Sequence, residues 1–283
     1  MQKRLNWICL HGLVALGLLP FALHAQTPSP LQEWQYSGGI ILERMFEPTP
    51  PDIHAVAGLG AEVQPAYEGS RAYQVRGGPA LDIRYRDMAF VSTGEGIGYN
   101  LIHRRGLELG LSVAYDSGRK ERLDYSNLRG MGDKTVSAVP KAFVAWVISE
   151  RFPAVIRADV RHLLRTGGGT VGDLGFYLPM PGSSKRMAFF VGPSVTVANR
   201  HYLRDLYGVT GTQSIASGHP TYDIRDAGVN AYGLGLMATW RLTRHYLLNL
   251  DAAVNRLGHE TANSPIVERA SSHVIAMSLD YHW

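Results

Sequence analysis

The sequence predicts an all-β chain folded as a transmembrane antiparallel β-barrel, with a signal peptide ahead of it. Three observations lead there. The last eleven residues, 273–283, place an apolar side chain at every second position and stop on an aromatic. The same two-residue period, which only a strand produces, recurs from residue 53 onward. Beyond the first 25 residues no apolar run approaches the ~20 residues of a membrane helix, although 45% of the chain is hydrophobic. Strands can cross lipid only in a closed barrel, where every backbone polar group bonds to a neighbouring strand and no edge is left over. A soluble sandwich or a lipocalin-like barrel shares the alternation, and the two chain ends tip the balance against them.

At the N-terminus, Lys3 and Arg4 precede an apolar run from Leu5 to Leu23, interrupted by Asn6 and His11, and Leu23-His24-Ala25 offers a cleavage site. Residues 1–25 read as a Sec signal peptide, with the mature chain starting near Gln26. A retained anchor is disfavoured because the run has no stop-transfer flank. Cys9, the single cysteine, falls inside that segment, so the mature chain is expected to have no disulfide, thiolate chemistry or cysteine metal site. The formal charge of +4 includes Lys3 and Arg4, and the +2 that remains is too weak to argue for nucleic acid. Residues 26–52 carry Pro28, Pro30, Pro48, Pro50 and Pro51 and read as a periplasmic lead-in, although Trp34 to Arg44 fit local pairing.

The barrel is expected over 53–283. Its first stripe is 53–63. In 74–86, Val75, Gly77, Pro79, Leu81, Ile83 and Tyr85 share the lipid face, and Gln74, Arg76, Asp82, Arg84 and Arg86 share a wet lumen face. Two short, weak stripes follow at 88–93 and 96–102. In 106–116, Leu107, Leu109, Leu111, Val113 and Tyr115 point out, and Glu108, Ser112 and Asp116 point in. Further stripes lie at 135–149, 152–164, 171–178, 186–198, 229–242 and 245–257, and the C-terminal strand completes twelve. Barrels of this kind pair short periplasmic turns with long outer loops. Twelve strands put the long segments 117–134, 199–228 and 258–270 all outside, whereas merging the two weak stripes would put 117–134 inside; ten strands is the fallback.

The aromatic end of the last strand, with Ile275, Met277, Leu279, Tyr281 and Trp283 on one face, resembles the closing strand of bacterial outer-membrane barrels, the signal read by the barrel-assembly machinery. It predicts residence in the outer membrane of a Gram-negative cell, among its lipid and lipopolysaccharide. A narrower resemblance comes from six segments in order: Tyr67-Glu68-Gly69-Ser70, Gly98-Tyr99-Asn100-Leu101, Leu128-Arg129-Gly130-Met131-Gly132-Asp133, Tyr207-Gly208-Val209-Thr210, Ser217-Gly218-His219-Pro220-Thr221-Tyr222-Asp223 and Ser264-Pro265-Ile266-Val267. Their order and spacing resemble the MipA/OmpV family over roughly residues 53–283. The resemblance implies a scaffold that holds a lytic transglycosylase near a penicillin-binding murein synthase. The alternative, motivated by charged lumen positions and long outer loops, is a small-solute pore or a ligand-binding surface protein.

Two groups of residues are candidates for function. His201, Tyr202, Arg204, Tyr207, His219, Tyr222 and Asp223 lie in the longest outer loop, where they form either a recognition surface or a packed plug. Arg76, Asp82, Arg84, Arg86, Glu108, Arg157, Asp159, Arg161, Arg241 and Asp251 fall on the lumen face, where a narrow barrel favours a paired plug over a selectivity filter. Gly69 suits the positive φ of a tight turn. Catalysis is not expected, since there is no nucleophile-elbow pattern and no His-Glu-x-x-His. Gly167-Gly168-Gly169-Thr170 lacks the lysine of a phosphate loop and reads as a hairpin. No cofactor or metal is expected.

Overall fold

The computed structural model describes residues 45–46, 51–184 and 186–283. The proposed signal peptide and most of the lead-in lie outside the described residues. Twelve antiparallel strands form one closed barrel: β1 (Ile53–Pro65), β2 (Tyr73–Tyr85), β3 (Ala89–Ser92), β4 (Gly96–Arg104), β5 (Leu107–Asp116), β6 (Ser137–Val147), β7 (Val155–His162), β8 (Thr170–Pro179), β9 (Met187–Ala198), β10 (Gly228–Arg241), β11 (Tyr246–Leu257) and β12 (Ser271–His282). Each strand pairs with its sequence neighbours, and β12 closes on β1 from Val56↔His282 to Val63↔Ile275. Five short connections gather at one end of the barrel, here the turn end, and the long connections gather at the other, the loop end.

Alternation sets the two faces of the wall. On β12, Ile275, Met277 and Leu279 are exposed, as is Trp283 just after it, while Ala276, Ser278 and Asp280 are buried inside. Exposed Tyr85, Trp146, Trp240 and Tyr246 ring the turn end, and exposed Tyr73, Tyr115 and Tyr232 stand near the loop end. Such aromatic girdles mark the two interfaces of a membrane-spanning barrel. At the turn end Tyr281 packs edge-on to Trp283 and Tyr246, with ring centroids 4.9 and 5.1 Å apart.

One sequence expectation needs correction. Arg86 does not face the lumen: β2 ends at Tyr85, and Arg86 and Asp87 form a two-residue turn with φ of 50° and 53°. Left-handed backbone at both central residues is the type I′ geometry, one of the two hairpin turns whose twist matches that of the flanking strands. The extra residues flip the alternation, so Arg86 is exposed and pairs with Asp52 at 2.8 Å, while Asp87 is buried.

At the loop end the connections turn inward and interlock. They contain α1 (Tyr125–Leu128), α2 (Arg200–Tyr207), α3 (Gly211–Ser217) and α4 (His259–Ala262). In α2 the apolar positions 202, 203, 206 and 207 share one helical face, and Tyr202, Leu203 and Tyr207 pack against Val139, Leu163, Val171 and Leu257 at the strand tops. A second cluster joins four connections: Tyr67 from β1–β2, Leu128 and Met131 from β5–β6, Val209 from β9–β10 and Ile266 from β11–β12.

Candidate functional site in the lid, lumen and turn-end mouth

Asn199 starts α2 by accepting the Tyr202 N–H at 3.0 Å, and it also accepts the Thr170 N–H at 3.1 Å, which fixes the helix over the β7–β8 hairpin. The loop candidates therefore do not converge on one surface. Tyr202 and Tyr207 are buried in the mouth, and the Tyr207 hydroxyl donates to Glu68. His219 Nε2 lies 2.8 Å from the Asn127 carbonyl, and the Tyr222 hydroxyl donates to the Glu260 carbonyl at 2.6 Å. Arg204 pairs with Asp223 at 2.8 Å on the outer surface, where His201 is also exposed.

Beneath α2 lies a charged layer. Arg165 pairs with Asp116 and, at 3.1 Å, with Asp205, which also takes Lys134 at 2.8 Å. Burial pushes the Tyr207 hydroxyl well above the usual tyrosine range, and the adjacent Glu68 carboxylate adds to the shift. Burial likewise raises Tyr67. Between Tyr67, Glu68, Arg119 and Tyr207 lies a space of about 30 Å³, room for water and not for a solute.

The lumen holds most of the charges expected there, in pairs. Arg84 binds Asp82 at 2.7 Å and Glu95 at 2.8 Å, and the second Glu95 oxygen binds Arg157 at 2.7 Å. Arg161 binds Asp159 at 2.6 Å and Asp173 at 2.5 Å, and Glu108 lies 3.1 Å from His103. Asp251 is buried on β11, while Asp280 accepts from Asn249 and Ser278, both at 2.7 Å. Arg76 and Arg241 lie half-buried on the same inner face. Sequence reasoning missed Glu95. It lies in the β3–β4 turn, and because β3 has only four residues, that turn ends low enough for the carboxylate to reach the arginines of β2 and β7.

The turn-end mouth has two parts. Met45 is fully buried in a socket of Val147, Val155, Tyr177, Phe190 and Met237, and its carbonyl accepts the Gly106 N–H at 2.9 Å. Phe46 lies against this socket, below Arg105. Beside it a cavity of about 570 Å³ opens between the β6–β7 and β8–β9 turns, with Phe190 and Leu247 buried at its floor, Phe152 and Met180 exposed, and Arg151, Arg186 and Arg241 along its lining.

Residues 57–283 match the family model described as MltA-interacting protein MipA. A relative in Escherichia coli (strain K12), named "Putative outer membrane protein YiaT", is 25% identical over 142 residues, which cover 50% of this chain and 56% of the relative. The matched stretch thus spans just over half the length of that relative. Among solved structures, the NanC porin aligns with 81% of this chain and 98% of its own at 10% identity and a TM-score of 0.42. An outer membrane channel from Pseudomonas putida F1 aligns with 82% of this chain and 96% of its own, also at 10% identity, with a TM-score of 0.40. With a family model matched along almost the whole barrel, from within β1 to the last residue, the chain belongs to the MltA-interacting protein MipA family.

Proposed function

We propose that this chain is a closed, non-enzymatic barrel of the bacterial outer membrane whose periplasmic turns hold murein-processing enzymes, a lytic transglycosylase and a penicillin-binding murein synthase, near that membrane. The observation that carries this reading is occlusion. The loop-end mouth is packed with the apolar face of α2, the lumen is crossed by buried ion pairs centred on Glu95, and Met45 fills a socket at the turn end. A small-solute pore needs a continuous wet path, and charges that are paired and buried leave little of one. The family name, which describes an interaction with MltA, and the outer-membrane description of YiaT support the same reading. With the turn end in the periplasm, an enzyme working there meets the β6–β7 and β8–β9 turns and not the lid.

Co-purification tests it. Replacing Met180 to Lys185 with a two-residue turn is expected to weaken retention of a lytic transglycosylase or murein synthase, while Arg204→Ala together with Asp223→Ala on the lid leaves it unchanged. Equal retention by both variants, or loss from the lid variant alone, overturns the scaffold.

A further inference from the structure

We infer that the 570 Å³ cavity at the turn end is a docking site for an extended acidic peptide segment of a periplasmic protein, one apolar side chain entering the cavity and flanking carboxylates meeting its arginines. This deepens the scaffold reading and rests on it for the compartment. Size is the first argument, since ligand clefts span roughly 300–1,000 Å³. The second is the lining. Phe190 and Leu247 form a buried apolar floor, whereas Phe152 and Met180 stand 52% and 37% exposed at the opening, large apolar surface beside polar turns.

Charge selects the partner. Arg151, Arg186 and Arg241 line the cavity against one carboxylate, Glu150, and that carboxylate already binds Arg105 at 2.6 Å. A carboxylate-bearing segment gains charge-assisted hydrogen bonds from guanidinium forks, and a lysine-rich one is repelled. The turns are held for this. Ser183 and Ser184 hydroxyls accept the Phe189 and Met187 N–H groups at 3.0 and 3.1 Å, so the β8–β9 turn is braced by its own side chains. A braced turn loses less conformational freedom on binding.

The test uses the full chain in detergent and two labelled hexapeptides, each with one central tryptophan, flanked by glutamates in one and by lysines in the other. Fluorescence anisotropy should show the acid peptide binding the wild-type chain, and Arg151→Glu with Arg186→Glu should weaken it by roughly tenfold and let the lysine peptide bind instead. Met180→Ser should weaken the acid peptide without changing which peptide is preferred. No binding, binding insensitive to the charge reversal, or binding only after removal of residues 26–44 overturns the proposal, the last by assigning the cavity to the chain's own segment. The two ideas fail separately: co-purification of murein enzymes that survives the charge reversal removes the cavity and keeps the scaffold, and peptide binding without any such enzyme does the opposite.

Discussion

Glu95 joins arginines from β2 and β7, five strands apart around a ring of twelve. Removing one partner of a buried ion pair leaves the others uncompensated in a low dielectric, at a cost of ~3–5 kcal/mol. Glu95→Gln is therefore expected to lower barrel stability by that order in urea unfolding, while Arg86→Gln, on an exposed turn, has no measurable effect. Equal effects would mean that the lumen pairs do not hold the wall. On the opposite face, arginine at Leu111, half-exposed in mid-β5, should cost ~2–4 kcal/mol if it meets lipid near the midplane. The sequence showed why Arg84 and Arg157 point inward, because both sit on an alternating stripe. Glu95 was hidden, since its segment is too short to alternate and its partners are 11 and 62 residues away.

Strands were the most legible elements. One lipid-facing wall and one polar lumen force a period of two on every segment, and the twelve stripes expected from it correspond to β1 through β12. The loops have no such pressure, so their composition left a recognition surface and a packed plug both open for 199–223; α2 and its neighbours fold back over the mouth as the plug. The signal was present in the spacing of Tyr202, Leu203, Leu206 and Tyr207 but only a helix makes it a face. The cap of α2 gives an expected outcome at this scale. Asn199→Ala removes acceptors for two backbone N–H groups and should cost about 1 kcal/mol, seen as faster protease cleavage within 199–227 with barrel unfolding unchanged. Barrel unfolding shifted by as much as the cleavage would place the helix in the wall's cooperative unit. At the other end of the chain, serine at both Tyr281 and Trp283 removes the aromatic pair that closes β12, and the expected result is an unassembled species cleared before it reaches the membrane. Normal heat-modifiable migration in outer-membrane fractions would sink that expectation.

As a whole the molecule is a barrel with a packed lid over its loop end, and lid and barrel should respond differently to pH. Tyr67 and Tyr207 have raised folded-state pKa values, so their contribution to the lid is complete below the unfolded tyrosine value of about 10 and falls away as pH rises through and beyond it. Tyrosinate absorbance should show a late-titrating class that appears together with protease sensitivity of the lid. Opening of the lid at neutral pH would contradict this. On the occlusion proposed above, the intact chain offers no continuous path from one mouth to the other. Single-channel recording of the purified full-length barrel in a planar bilayer at neutral pH should then show no stable conductance steps; steady ohmic steps from the wild-type chain would mean that the lumen conducts.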